Sequence, residues 1–197
     1  MVNIFAGSSN GRTMDSGSIN LGSSPSPAAT KYIQTMRDVT LVFLLRQGEV
    51  CLGMKKQGFG EGKWNGIGGK VDEGEEIPLA ASRELHEEIG VVADPEKMEK
   101  VAVIDFHFAQ KPEWNQRMHV FFVREWDGEP QESDEMKPEW FAQDSLPYEQ
   151  MWVDDKYWVP EVLRGRKINA QFHFSGTGEG IEKFFISDLK KREPHIR

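Results

Sequence analysis

Short apolar runs rich in β-branched and aromatic residues recur along the chain and predict β-strands. We expect strands at residues 39–45, 49–54, 98–108, 118–126, 170–174 and 181–186, with a short one around Trp140 and Phe141. Residues 46–48 separate the first two strands and residues 176–178 separate the last two. Both connections are short enough for hairpins.

Residues 78–89 have helical periodicity instead. Pro78 suits the first turn of a helix, where its missing N–H would be unpaired anyway, and Gly90 is a natural stop signal. The apolar side of this helix is formed by Pro78, Ala81, Leu85 and Ile89. We therefore expect the helix to pack that side against the sheet.

The remaining segments of the chain allow the fold class to be predicted. A second helix is predicted at residues 155–165, although Pro160 interrupts its middle. Residues 58–69 contain six glycines, so they are predicted to form a loop whose backbone can approach a ligand closely. Together these elements predict an α+β fold with a mixed β-sheet and flanking helices.

Composition differs most at the ends of the chain. Residues 1–35 are rich in Ser, Gly, Asn and Pro and predict a disordered extension. Residues 36–190 are predicted to form one domain, and residues 191–197 a short tail. Met36 lies immediately before the first strand pattern, which makes it a candidate translation start.

Charge and cysteine content narrow the expected partners. The formal net charge is −8, which disfavours a phosphate backbone as main partner because non-specific nucleic-acid binding needs clustered Lys and Arg. Cys51 is the sole cysteine of the sequence, so no intrachain disulfide can form, and we expect a reducing, cytoplasmic location. No apolar run approaches the ~18 residues that span a membrane. We expect a monomer with neither nucleic acid nor membrane as partner.

Three carboxylates share one face of the first predicted helix. Successive helical residues are rotated by about 100°, so Glu84, Glu87 and Glu88 fall within a single arc. Like charges at this spacing destabilise a helix by roughly 0.2–0.5 kcal/mol per pair. A hard divalent cation such as Mg²⁺ would offset the repulsion. A solvated acidic face without a ligand is the alternative on these residues alone.

These glutamates belong to a longer motif. The sequence GKVDEGEEIPLAASRELHEEIGV begins at Gly69 and reads glycine, five residues, glutamate, seven residues, Arg-Glu-aliphatic, one residue, Glu-Glu, one residue, and glycine followed by an aliphatic residue. A chance match in a chain of this length is rarer than about one in a million. The segment is identified as the box of the Nudix hydrolase family, and the resemblance covers about residues 36–190.

The resemblance implies a mixed sheet flanked by helices, with the box forming a loop, a helix and a loop. It also implies that Glu84, Glu87 and Glu88 hold Mg²⁺ or Mn²⁺, with the backbone carbonyl of Gly68 as a further ligand. Glu88 would in addition orient or deprotonate the attacking water. Arg83 would pair with a box carboxylate, and Glu87, four residues on, is within reach.

The reaction that the resemblance implies is hydrolysis of a nucleoside triphosphate. Metal-activated water attacks the polyphosphate and releases the monophosphate and pyrophosphate, because the metal ions neutralise the polyanion and acidify a bound water. No covalent intermediate is needed.

Three segments resemble one branch of the family, the oxidised purine nucleoside triphosphatases, which remove 8-oxo-dGTP and 2-hydroxy-dATP from the nucleotide pool. They are GMKKQGFGEGKWNGIGGKV, ESDEM and MWVDDKYW. Glu135, in the second segment, would be a further metal-associated carboxylate. The residues implied to contact the substrate are Thr40, Lys55, Phe59, Asn65, Ile67, Gly68, Gly69, Lys70, Phe106, Trp152, Val153, Asp154 and Asp155.

Some of these residues have a chemistry that suits a purine. Asn65 presents a donor and an acceptor, as edge-on reading of a base requires. Trp152 offers a stacking surface, and the adjacent Asp154 and Asp155 can share one proton and so present a donor and an acceptor together. In the alternative, Asp154 caps the following helix and Trp152 belongs to the core. The branch usually has proline where this chain has Val153, which leaves the base preference open.

Other members of the set have equally plausible structural roles. Lys55 either meets the anionic or sugar end of a substrate or is simply solvated. Thr40, Phe59 and Phe106 match positions that line the base pocket in the branch, but aromatics at strand spacing are more often core residues.

Two other functions compete with this interpretation. One is a Nudix hydrolase for another nucleoside diphosphate derivative, such as a dinucleoside polyphosphate or a nucleotide sugar. The other is a Nudix-like nucleotide-binding module without catalysis, whose expected signature is a broken set of box glutamates. The segments outside the box disfavour the first, and the complete set of Glu84, Glu87 and Glu88 disfavours the second.

Overall fold

Residues 36–58, 60–176 and 180–189 are described by a computed structural model of the protein. Within them the chain forms the strands β1 (Arg37–Arg46), β2 (Glu49–Lys55), β3 (Trp64–Asn65), β4 (Glu99–Phe108), β5 (Gln116–Val123), β6 (Met136–Ala142), β7 (Ile168–Ser175) and β8 (Gly180–Asp188). Its α-helices are α1 (Ile77–Ile89) and α2 (Asp155–Leu163). No helix in these ranges is long and apolar enough to cross a membrane. The predicted extension 1–35 and tail 191–197 lie outside the described residues, so the domain limits stay a prediction.

The strands join one mixed sheet. Its hydrogen-bonded order is β3–β2–β1–β5–β4–β7–β8, and β6 pairs with β2. Strand β1 runs parallel to β5, and β4 runs parallel to β7, whereas the remaining pairs are antiparallel. The mixed sheet and the two predicted hairpins, β1–β2 and β7–β8, are confirmed.

The β1–β2 hairpin opens away from its turn. The two strands pair directly over the three residue pairs next to the turn. Beyond that point β3 pairs with β2, and Ile67 exchanges backbone hydrogen bonds of 2.7 and 2.9 Å with Val42 of β1. The glycine-rich segment is therefore inserted between the two strands, and its backbone is fixed by both of them.

One face of the sheet is covered by α1. Ala81, Leu85 and Ile89 are buried and pack in one cluster with Val42 of β1. Gly90 ends the helix in the left-handed conformation, with φ of 72°, which residues with a side chain rarely adopt. The first predicted helix, its apolar side and its glycine stop are confirmed.

The opposite face carries the larger core, against which α2 packs. Trp158 and Val162 are buried there, and the Trp158 ring lies 6.1 Å from the ring of Phe43, centroid to centroid. Adjacent residues of β1 point to opposite faces, so one strand serves both clusters. Pro160 lies inside α2 without ending it, because it removes one backbone donor while the buried side chains still hold the helix on the sheet.

Three sequence predictions differ from the structure in extent. Strand β5 ends at Val123 instead of reaching residue 126, and Trp126 instead stacks on Trp140 of β6, with the ring centroids 5.9 Å apart. Strand β6 is longer than the short strand expected. Residues 58–69 are not entirely loop, because they contain the two residues of β3.

The packing of α1 predicts that two leucines of this helix contribute very differently to the stability of the protein. Leu85 is fully buried, whereas half of the Leu79 surface is exposed. We expect Leu85→Ala to lower the free energy of unfolding by about 2–5 kcal/mol, because it removes buried methyl groups and leaves a cavity. Leu79→Ala should change it by no more than about 0.5 kcal/mol. Urea denaturation followed by circular dichroism measures both, and equal losses would contradict the packing described.

Candidate active site

A cavity of about 240 Å³ opens where the glycine-rich segment spreads the β1–β2 hairpin. Strands β1, β2, β4, β5 and β7 contribute to its walls, and the residues around the start of α2 close one end. The predicted substrate residues that line it are Thr40, Lys55, Asn65, Gly68, Gly69, Lys70, Phe106, Trp152, Asp154 and Asp155. The fold thus brings together segments that lie far apart in the sequence.

Of the predicted substrate residues that the structure describes, two do not line the cavity. Ile67 is buried beneath α1, because alternate residues of this strand-like stretch turn their side chains away from the cavity. Val153 is half-buried against the larger core. Phe59 lies outside the described residues.

Several wall residues were not predicted from the sequence. Met118, Met136, Phe108 and Phe174 line the cavity, and so does Lys63. In the sequence, the two methionines and two phenylalanines look like ordinary core residues. They reach the cavity only because of the way the strands pair, and strand periodicity does not predict strand pairing.

Two polar side chains in the wall are placed to meet a ligand. The Asn65 Oδ1 accepts the N–H of Gly66 at 2.9 Å, which orients its amide group. Thr40 is only 2% exposed, and among the described residues its Oγ1 is the buried side-chain oxygen that has no hydrogen-bond partner. An unpaired buried hydroxyl costs about 1–3 kcal/mol. A ligand atom that bonds to it would remove that cost.

Asp154 and Asp155 form a buried pair at one end of the cavity, 4% and 2% exposed. Trp158 Nε1 donates to Asp154 Oδ2 at 3.1 Å, and the backbone N–H of Trp152 donates to Asp155 Oδ2 at 2.9 Å. Asp154 stands at the N-cap position of α2 but makes no side-chain capping bond. The capping alternative for Asp154 is therefore wrong. Trp152 is half-buried at the cavity wall and not in the core.

Burial changes the protonation of this pair. Loss of solvent raises the pKa of Asp154 to about 6. Burial, together with the charge of Asp154, raises the pKa of Asp155 well above its usual range. At neutral pH the pair therefore retains a proton, so that one carboxyl can donate a hydrogen bond while the other accepts one.

Arg83 forms ion pairs with carboxylates of α1 and of the loop before it. It makes two hydrogen bonds to Glu75, of 2.9 and 2.8 Å, and its Nη1 donates to Glu84 at 2.8 Å and to Glu87 at 3.0 Å. The Glu75 bonds lower the pKa of Glu75 and raise that of Arg83. The expected pairing with Glu87 is present. The two-bond partner, however, is Glu75, and this contact fastens the loop before α1 to the helix.

Glu88 lies apart from this network. Its side chain is largely buried, and its Oε2 accepts the N–H of Gly68 at 3.1 Å. Burial raises the pKa of Glu88 to about 7, although the Gly68 bond and the charge of Lys55 act in the opposite direction. The charges of Glu84 and Glu135 raise it further. Two further carboxylates and one lysine thus lie close enough to Glu88 to affect its protonation.

The glycines of this segment permit a very close approach. A Cβ on Gly69 would lie 2.5 Å from the Glu84 carboxylate, and a Cβ on Gly68 would lie 2.2 Å from the carbonyl oxygen of Thr40. Gly68 therefore has no room for a side chain, and a side chain at Gly69 would displace the Glu84 carboxylate. The backbone of the loop therefore touches β1 on one side and the acidic face of α1 on the other.

The donor set fits a hard divalent cation. Glu84, Glu87, Glu88 and Glu135 supply the oxygen ligands that Mg²⁺ and Mn²⁺ prefer. Over residues 36–58, 60–176 and 180–189, no three His, Cys, Asp or Glu side chains are already drawn together closely enough to hold a metal ion. In this arrangement Arg83 holds Glu84 and Glu87. The raised pKa of Glu88 nevertheless favours a cation, because a positive charge beside this buried carboxylate would offset the free energy of its desolvation.

Comparison with known proteins gives relatives for most of the chain. The family model for the NUDIX domain matches residues 35–162. An oxidized purine nucleoside triphosphate hydrolase of Danio rerio is 46% identical over 148 residues, which are 75% of this chain and 93% of that protein. The protein of the same description from Mus musculus is 46% identical over 142 residues, 72% of this chain and 89% of that protein.

Solved structures agree with the fold. The crystal structure of a MutT protein from Bacillus halodurans has a TM-score of 0.66 at 24% identity and covers 77% of this chain and 97% of its own. A MutT NUDIX hydrolase from Burkholderia pseudomallei has a TM-score of 0.58 at 26% identity and covers 66% of this chain and 99% of its own. Together with the uninterrupted box on α1 and the match over residues 35–162, these similarities show that the chain belongs to the Nudix family.

Proposed function

We propose that this protein hydrolyses oxidised purine nucleoside triphosphates, such as 8-oxo-dGTP and 2-hydroxy-dATP, to the monophosphate and pyrophosphate and so removes damaged nucleotides from the pool. The observation that carries the proposal is a cavity lined both by Gly69 and Lys70, the first residues of the complete Nudix box, and by the buried Asp154–Asp155 pair. The two relatives that are 46% identical are described as hydrolases of this substrate class, which supports the same activity here.

The base would occupy the end of the cavity with the paired aspartates. Phe106 and Trp152 offer apolar and aromatic surfaces there, and a flat heterocycle gains from stacking on such rings. The Asn65 amide and the Thr40 hydroxyl would supply hydrogen bonds to polar atoms of the purine. A hydrogen bond from the ligand to Thr40 Oγ1 would stabilise the complex, because this buried hydroxyl has no other partner.

The aspartate pair would favour an oxidised base over a normal one. Oxidation of guanine at C8 turns N7 from a hydrogen-bond acceptor into a donor, and thus changes the pattern along one edge of the base. A pair that holds one proton presents an acceptor and a donor side by side, so its members can match an edge on which donor and acceptor positions have changed. Sites of this kind discriminate strongly because a mismatched base leaves buried polar groups unpaired.

The triphosphate would extend towards the acidic helix. Lys55, Lys70 and the backbone of Gly68 and Gly69 line this part of the cavity. Glu84, Glu87, Glu88, Glu135 and the Gly68 carbonyl would hold the divalent cations. Bound there, Mg²⁺ or Mn²⁺ would neutralise phosphate charge and acidify a water molecule.

The residues of the box would have distinct tasks. Glu88 is buried, and its Oε2 is held 3.1 Å from the N–H of Gly68, where it would orient or deprotonate the attacking water. Arg83 would not touch the reacting atoms. Its bonds to Glu75, Glu84 and Glu87 would hold the carboxylates at the correct spacing and keep the loop before α1 in place.

The role of Glu88 predicts the outcome of one substitution. We expect Glu88→Gln to lower kcat for 8-oxo-dGTP by at least about 100-fold, since the amide cannot accept the proton of water. Pyrophosphate release in the presence of Mg²⁺ measures the effect. Parallel assays with 2-hydroxy-dATP, dGTP and an ADP-sugar define the substrate class, and we expect both oxidised purines to react far faster than dGTP.

Glu73→Gln is the matched control, because Glu73 is an exposed residue at a variable position of the same box. It should retain the wild-type rate. Turnover of the ADP-sugar alone would contradict the oxidised-purine proposal while leaving a Nudix hydrolase, and a wild-type protein inactive on all four compounds would point to a binding module.

The shared proton of the aspartate pair predicts how binding depends on pH. The buried pair retains a proton at neutral pH, and burial raises the pKa of Asp155 well above its usual range. As the pH rises and the pair loses this proton, the donor is lost, so the binding of 8-oxo-dGMP should weaken. Asp155→Asn keeps an N–H donor at every pH, and we expect the alkaline weakening to vanish in this variant. Calorimetric titration without metal across neutral and alkaline pH would measure both profiles. Parallel profiles for the two proteins would contradict the assigned role of the pair.

A further inference from the structure

Two loops meet at the wall of the cavity through one lysine. The Lys63 Nζ donates to the backbone carbonyl of Met151 at 3.2 Å. The same ammonium lies 5.3 Å from the centroid of the Trp152 ring, within the distance of a cation–π contact. Lys63 belongs to the glycine-rich segment and Trp152 to the segment before α2, so the contacts join parts of the chain that are not neighbours in the sheet.

The peptide unit between Met151 and Trp152 is held by two hydrogen bonds, one from Lys63 and one to Asp155. The carbonyl of Met151 and the N–H of Trp152 belong to the same planar group. Lys63 donates to its carbonyl oxygen, and Oδ2 of Asp155 accepts from its N–H at 2.9 Å. The peptide is thus fixed at both ends, and polarisation of the carbonyl by a cation strengthens the N–H as a donor.

The ring of Trp152 is also confined by the loop that carries Lys63. A Cβ on Gly60 would lie 2.8 Å from Cζ2 of the indole, so the loop backbone packs directly against the ring. Gly60 has φ of 87°, a conformation that residues with a side chain rarely adopt. The backbone at Gly60 and the ammonium of Lys63 together limit the positions open to the indole.

We propose that Lys63 is a positioning residue for base recognition: by holding the Met151–Trp152 peptide and the indole face, it sets where Trp152 stands relative to the aspartate pair. The inference rests on the proposed function in taking this end of the cavity as the base site. Lys63 acts here through Trp152 and Asp155 and not by neutralising phosphate. Its loss should therefore affect the binding of the base and not the chemical step.

The kinetic test compares Lys63→Met with Lys63→Arg. Methionine keeps the length of the chain without the charge or the donors, whereas arginine keeps both. For 8-oxo-dGTP we expect Lys63→Met to raise KM by roughly threefold to thirtyfold, the range for loss of a charged hydrogen bond with a cation–π contact. The kcat should stay within about twofold because the acidic helix is untouched. Lys63→Arg should restore most of the KM, and Lys97→Met, which removes a surface lysine paired with Glu125, should change neither constant.

A double substitution tests whether Lys63 acts through the indole. In a Trp152→Leu background, Lys63→Met should change KM by less than about twofold, because the coupled partner is already gone. An equal rise of KM in both backgrounds, a fall of kcat with KM unchanged, or wild-type constants for Lys63→Met would overturn the proposal.

A spectroscopic test separates this inference from the proposed function. The indole N–H resonance of Trp152 is identified by its loss in the Trp152→Leu spectrum and needs no substrate. We expect it to shift and broaden in Lys63→Met and to return in Lys63→Arg. If wild-type protein does not hydrolyse 8-oxo-dGTP while the resonance responds in this way, the substrate assignment fails and the positioning contact stands. An unchanged resonance in Lys63→Met would refute the positioning role whatever the substrate.

Discussion

The approach of the Gly68 and Gly69 backbone to its surroundings is the constraint on which the rest of the site depends. The loop fits between the carbonyl oxygen of Thr40 and the carboxylate of Glu84 because neither glycine has a side chain. This contact sets the distance between β1, which lines the cavity, and α1, which carries the acidic residues. A side chain at Gly68 would clash with the backbone of β1 and displace the loop, whereas one at Gly69 would displace the Glu84 carboxylate.

One side of the helix α1 stabilises the fold, and another carries the acidic residues of the site. Leu85 and its apolar neighbours anchor it to the sheet, while the adjacent side concentrates like charges that an isolated helix would avoid. Arg83 balances part of this charge through Glu75, Glu84 and Glu87. Glu88 lies outside these ion pairs, and burial, more than the charges of Glu84 and Glu135, raises its affinity for a proton.

The sequence predicts those parts of the structure that depend on local periodicity or on a motif. The strands, α1 with its glycine stop, and the arc of box glutamates are of this kind. Contacts that depend on strand pairing are not predicted. Ile67 lies in a motif-like segment, but the register with Val42 turns its side chain into the core. The bond from Lys63 to Met151 joins residues 88 positions apart, so the fold must place both segments before any residue pattern can indicate it.

The segment that ends with Asp154 and Asp155 is short and lies far along the chain from the box. It is attached to the scaffold by α2, whereas the acidic helix is attached through the other face of the sheet. Substitutions in one segment therefore need not disturb the other. In evolutionary terms the arrangement makes substrate choice and bond cleavage separately variable, so descendants of such a protein can exchange one nucleobase for another while inheriting an unaltered hydrolytic apparatus.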